Sequence, residues 1–234
     1  MSMPMNFALI IFELVVMVLS ISLHDCAQAW MASRLGDPTA RMMGRMTMNP
    51  ARHFDLLGML VFPVIFIYQS PLVLGWGKPI TFTPRNFRNP SRDEMIATLA
   101  GPAAQFLAAV VALIALIVVR HTVADSTLSI LTASALSMRH LGVSTEGLPG
   151  IFPLILFLYF CILVNLLLFV FNLIPLPFLD GGKILTHYLP FNAAKTFQSL
   201  SIYFMFGFFF LGFYVIQIFF LPILGIFQSL LFSL

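Results

Sequence analysis

Residues 23–37 read Leu-His-Asp-Cys-Ala-Gln-Ala-Trp-Met-Ala-Ser-Arg-Leu-Gly-Asp, and they close a run that starts near Met5 with no proline or glycine inside it. Such a run predicts one long helix over residues 5–35, stopped by Gly36 as a C-terminal cap and by Pro38 just beyond. Four residues advance a helix by about 400°, so positions 24, 25 and 28 fall on one face. His24, Asp25 and Gln28 then make a compact polar face on an otherwise apolar helix. Ionisable groups at membrane depth cost ~2.5 to 3.5 kcal/mol at a helix centre on insertion scales, so each asks for a reason. Glu13, three turns away on the same face, is expected near the far surface, meeting water or a partner.

The composition makes lipid the natural solvent: 60% of the 234 residues are hydrophobic, 9% are charged and 26 are Phe. Residues 3–23, 95–119, 151–174 and 200–234 are almost uncharged, and each reaches the ~20 residues a spanning helix needs. The first lacks a basic leading region and a small-residue cleavage site and is expected to be retained. Eight of the twelve Lys and Arg residues fall between Arg34 and Arg92, where the positive-inside tendency places them on the cytoplasmic side. A net charge of +3 distributed in this way implies lipid headgroups, not nucleic acid. The two cysteines, Cys26 and Cys161, lie in apolar segments and suggest neither a disulfide framework nor a thiolate metal cluster.

Between the first two spans the pattern changes. The run Arg45-Met46-Thr47-Met48 and the period-two stretch over residues 78–84 read as strands. Residues 56–74 lie between them, apolar but broken by Pro63 and Pro71 and flanked by basic residues, which favours a re-entrant segment that lets the two strands meet. Residues 122–150 read as a loop with a short interfacial helix, and the tail from Leu200 as one or two more helices. Trp30 and Trp76 suit an aromatic belt at the membrane interface. The expectation is an all-α, multi-pass membrane domain covering residues 1–234, with about five to six transmembrane or re-entrant segments and a small β-hairpin or sheet after the first helix.

The string His24-Asp25-Cys26-Ala27-Gln28 has the spacing of the zinc-protease signature H-E-x-x-H, and alone it matches only at its first position. The rest of the chain makes the likeness specific. Residues 23–37 resemble the zinc-motif helix of the site-2 proteases, the intramembrane metalloproteases of peptidase family M50. Asn49-Pro50-Ala51-Arg52-His53-Phe54-Asp55 is similar to that family's NPxxHxD element, and residues 84–90, Pro-Arg-Asn-Phe-Arg-Asn-Pro, to its basic loop. Ala100-Gly101-Pro102-Ala103-Ala104-Gln105 is similar to its AGPxxN element, and residues 172–182, Asn-Leu-Ile-Pro-Leu-Pro-Phe-Leu-Asp-Gly-Gly, to NxxPxPxxDG.

The resemblance implies zinc held by His24, position 28 and Asp180, with position 25 as the base that activates water, and with His53, Gln105 and Asn172 as accessory groups. It implies a transmembrane protein or peptide as substrate, entering by strand addition, and a bacterial or archaeal cell membrane as the location. Three positions depart: Gln28 stands where the family has His, Asp25 where it has Glu, and Gln105 where it has Asn. A neutral amide oxygen is a poorer zinc donor than imidazole, which leaves the choice of metal open to iron or manganese. Asp25 keeps a carboxylate but shortens its reach, and a misplacement of ~1 Å can cost on the order of a hundredfold in rate. Two functions follow from the resemblance, an intramembrane metalloendopeptidase with an HDxxQ motif, or a pseudoprotease that binds membrane proteins without cutting them. A small transporter is a third, disfavoured because the chain lacks two similar halves.

Overall fold

The computed structural model describes residues 3–69, 72–140 and 143–234. The polar-faced run forms α1 (Met3–Leu35), followed by a one-turn helix α2 (Thr39–Met42) and a 3₁₀ turn at Pro50–Arg52. Asn49 caps that turn, its side chain accepting from Ala51 N at 3.1 Å. A π-helical turn at Leu57–Val61 runs into α3 (Phe62–Gln69), and after a long extended stretch come α4 (Pro90–Thr122) and α5 (Ser126–Ser137). The chain ends with α6 (Phe152–Leu173), α7 (Asp180–Thr186), α8 (Phe191–Ser199) and α9 (Ser201–Ser233). Among the described residues four helices are long and apolar enough to cross a membrane: Phe7–Leu35, Pro90–Thr122, Phe152–Leu173 and Phe210–Ser233.

The most apolar helix, α6, takes the centre, because a helix hydrophobic all round is best covered all round. It packs against α1, α4, α5 and α9, and Ile155, Tyr159, Leu163, Val164, Leu166 and Phe171 are sealed within the bundle. α9 turns Phe206, Phe210, Tyr214 and Ile218 outward, as lipid permits. The short helix expected within residues 122–150 is α5, which buries Ser129, Ile130, Ala133 and Leu136. Tyr159 Oη donates to Ser134 Oγ at 2.8 Å and fastens it to α6.

The expected β-hairpin is absent: among the described residues there is no strand. The two stretches do meet, but through a side chain, the Arg45 guanidinium hydrogen-bonding to Lys78 O. Pro79 and Pro84 have no N–H to offer a ladder, and four other donors of the stretch are satisfied singly. Val73 N donates to Glu13, Trp76 N to Gly58 O at 3.2 Å, Lys78 N to His53 O at 2.9 Å and Thr83 N to Asp37 Oδ2 at 2.8 Å. Residues 76–78 therefore lie beside residues 53–58, so the chain leaves as a helix and comes back without one; Pro71 lies outside the described residues. Trp76 packs inside this return against Phe62, their ring centroids 4.6 Å apart and the planes tilted by 58°.

Two buried carboxylates hold the return in place. Glu13 does not meet water: it is sealed in α1 and paired with Arg139, 3.3 Å away, which also donates to Ile67 O at 2.9 Å. At the other end Asp37 accepts from Thr39 N, Thr83 N and Asn86 Nδ2 at 2.8–3.1 Å, binding the loop before α4 to the end of α1. Burial opposes the charge on Asp37, but these hydrogen bonds outweigh it and hold its carboxyl below the ordinary value of 3.8.

A depressed folded-state value means that the stability from Asp37 is present above pH 3.8 and lost as pH falls through the folded value. Asp37→Ala is expected to destabilise by about 2–4 kcal/mol, since it orphans several donors at once. Unfolding midpoints measured from neutral to acid pH should show the difference from the parent shrinking on acidification. A difference that stays constant with pH would contradict this assignment.

Candidate functional site

The polar face of α1 does not look into lipid. α4 and α7 cover it, and the extended stretch closes the side. The contact with α4 is close because position 101 is glycine: a Cβ there would fall on the His24 imidazole. α7 is brought in by the turn after α6, where Pro175 and Pro177 end the helix and Gly182 passes so near Leu176 O that no side chain fits. The result is a cavity of about 140 Å³. His24, Asp25, Gln28, Gln105, Asn172, Asp180 and Lys183 line it among Ile21, Trp76, Ile80 and Phe178.

Six of the seven residues singled out in the sequence thus converge on one cavity. The seventh, His53, sits behind Asp25, fully buried, with Nδ1 3.0 Å from Asp25 Oδ2 and Nε2 2.8 Å from Thr47 O. Both its nitrogens are engaged, so it does not serve as a further metal ligand in this arrangement.

Each carboxylate is compensated from within the chain. Asp25 Oδ1 lies 3.1 Å from His24 Nδ1, and its Oδ2 accepts from Arg45 Nη2 at 2.8 Å. Asp180 Oδ2 lies 2.8 Å from His24 Nε2 and accepts from Gln28 Nε2 at 2.7 Å, while its Oδ1 accepts from Lys183 Nζ at 3.0 Å. Burial opposes the charge on Asp180, but the Lys183 ammonium and His24 hold its carboxyl below the ordinary carboxylate range. The pattern follows from the low local dielectric, where an unpaired charge costs several kcal/mol and a paired, hydrogen-bonded one is tolerated.

Arg45 and Lys183 are functional neighbours that the sequence reading missed. Lys183 stands three residues after Asp180, a spacing that puts two helical side chains in contact and could have flagged it. Arg45 carried no such signal, since 20 residues separate it from Asp25 and only the tertiary fold joins them.

A catalytic zinc centre takes three protein donors and a water, and these residues do not supply them. Both nitrogens of His24 face carboxylate oxygens. Gln28 turns N–H toward Asp180, where a ligand would turn a lone pair. Among the described residues no three His, Cys, Asp or Glu side chains form a metal-holding group. One polar atom points the other way: Gln105 Nε2 is buried with no hydrogen-bond partner among the described residues, while its Oε1 accepts from Asn172 Nδ2 at 3.3 Å.

The family model described as peptidase family M50 matches residues 12–213. A curated relative, "Putative zinc metalloprotease YwhC" of Bacillus subtilis (strain 168), is 30% identical over 179 residues, which is 76% of this chain and 69% of the relative. No solved structure matches the chain.

Removing one partner of a buried ion pair strands the other, at a cost of about 3–5 kcal/mol. Arg45→Ala is therefore expected to lower stability by that amount. The double variant Arg45→Ala with Asp25→Asn should recover at least half of it, because the stranded charge is gone. Denaturant unfolding of the four proteins measures the coupling, and additive losses would refute the pairing.

Proposed function

The chain belongs to peptidase family M50, and from that membership we propose that it is a multi-pass protein of a bacterial cell membrane that holds an unwound transmembrane segment of another protein without hydrolysing it. The observation that carries this reading is the state of Asp25. Its carboxylate occupies the position of the general base, and a base must have an oxygen free to take a proton from water. Here Oδ1 faces His24, while Oδ2 faces both Arg45 and His53.

The binding half of the proposal rests on the cavity wall and on Gln105. Gly75, Trp76, Gly77, Pro79 and Ile80 line the cavity in non-helical conformation with no strand paired to them among the described residues, an edge of the kind that a peptide in strand conformation joins. A buried N–H without an acceptor costs about 1–3 kcal/mol, so the free Nε2 of Gln105 favours an occupant that brings a carbonyl. An unwound peptide offers one at every residue. The apolar lining from Ile21, Ile80 and Phe178 matches the side chains of a membrane segment.

A second reading is favoured by the family and by the name of the Bacillus relative: a zinc-dependent intramembrane endopeptidase. It requires His24 and Gln28 to leave their present hydrogen bonds, with Asp25 released from Arg45.

The two readings part in one experiment. The purified protein, reconstituted in lipid vesicles, is mixed with a transmembrane peptide carrying a photo-crosslinker and a fluorophore. Crosslinking to the cavity without cleavage is expected, with Gln105→Leu weakening binding by ~5- to 100-fold. Restoring the motif with Asp25→Glu and Gln28→His is expected to bring cleavage. Hydrolysis by the parent, lost in Asp25→Asn and on chelation, would establish the second reading instead.

A further inference from the structure

Gln28 makes a connection that a metal ligand does not. Its Nε2 donates to two acceptors at once, Asp180 Oδ2 at 2.7 Å and Thr98 O at 3.0 Å. A carbonyl oxygen only accepts, so it is the amide nitrogen that stands at this point. Thr98 O is open to it for a reason written in the sequence. Inside α4 that carbonyl would accept from the backbone nitrogen four residues on, which belongs to Pro102 and carries no hydrogen. One buried amide therefore links α1 to a carbonyl that α4 cannot use and to the carboxylate that opens α7. His24 adds a second link between α1 and Asp180, and Lys183 supplies the positive charge on the other oxygen.

A metal bound between helices does two things apart from chemistry: it joins the elements that carry its ligands, and it neutralises the carboxylate among them. We infer that Gln28, with Lys183 as the local cation, performs both of these tasks, so that the junction of α1, α4 and α7 assembles without a metal ion. The departure at position 28 is then a replacement of one crosslink by another and not only the loss of a ligand. The same site is at issue as in the proposal above, but the two are separable, because a metal-free junction neither requires nor forbids a bound polypeptide.

The test uses the full chain purified in detergent, its zinc measured by elemental analysis and its unfolding followed by tryptophan fluorescence with and without EDTA. The expected result is sub-stoichiometric zinc and a midpoint that neither EDTA nor added zinc moves. Gln28→Leu, which removes both hydrogen bonds at similar volume, should lower the midpoint by at least ~4 °C. Gln28→His stripped with EDTA should fall in the same way. A parent midpoint that drops in EDTA and recovers with zinc would overturn the inference, as would a Gln28→Leu protein as stable as the parent. Should Gln28→Leu not fold, the chelator comparison on the parent and the milder Lys183→Met variant, also expected to unfold earlier, decide the matter. Peptide crosslinking on the same samples keeps this outcome apart from the binding proposal: a parent that captures peptide yet loses stability in EDTA sinks the crosslink alone.

Discussion

A charge removed from water inside an apolar bundle has to be compensated by the chain that buries it, and most of the specific geometry in this protein descends from that requirement. Of the five buried carboxylates among the described residues, Glu13, Asp25, Asp37 and Asp180 are met by partners drawn from elsewhere in the chain, and Asp93 by the nearby Asn89 N. The partners come from loops as well as helices. Arg45 approaches from the stretch after α2, and Arg139 from the end of α5, each reaching a carboxylate on α1. Charge compensation thus sets where the connecting segments lie, and apolar packing fills the space between them.

The same demand acts on the backbone. Buried peptide groups need partners, and the return from Leu72 to Thr83 has no strand beside it among the described residues. Side chains take the role a ladder would have played: Glu13 at one end, Asp37 at the other, and Arg45 on Lys78 O between them. The wall of the cavity is consequently held by the same carboxylates that tie α1 to the loops, so a change at Asp37 or Glu13 reaches the site through the backbone.

Family membership gives the fold, and the chemistry has to be argued from the site itself. The elements that shape the cavity are intact: Gly101 admits the His24 ring, Gly182 admits the turn after α6, and Pro102 frees Thr98 O. What differs is the direction in which groups point. An amide offers hydrogens to Asp180, and the Asp25 carboxylate holds Arg45; the proposed loss of hydrolysis rests on these two contacts.

Much of this was legible in the order of residues. The spanning helices, the shared face of His24, Asp25 and Gln28, and the link between residues 24–28, 105, 172 and 180 followed from hydropathy, from the 3.6-residue period and from motifs that recur in a known order. The strands were not there to be read: alternation at residues 78–84 reports a half-buried extended chain, whereas a sheet also needs a neighbour, and Pro79, Pro84 and three acidic or basic side chains removed the need for one. The sequence by itself determined a membrane bundle with a polar centre, since solvent preference and helical period are local properties of the chain. Which hydrogen bonds that centre makes, with Arg45 on Asp25 and Gln28 on both Thr98 and Asp180, was decided only by the tertiary structure, because those partners lie 20, 70 and 152 residues apart and nothing local records the distance between them.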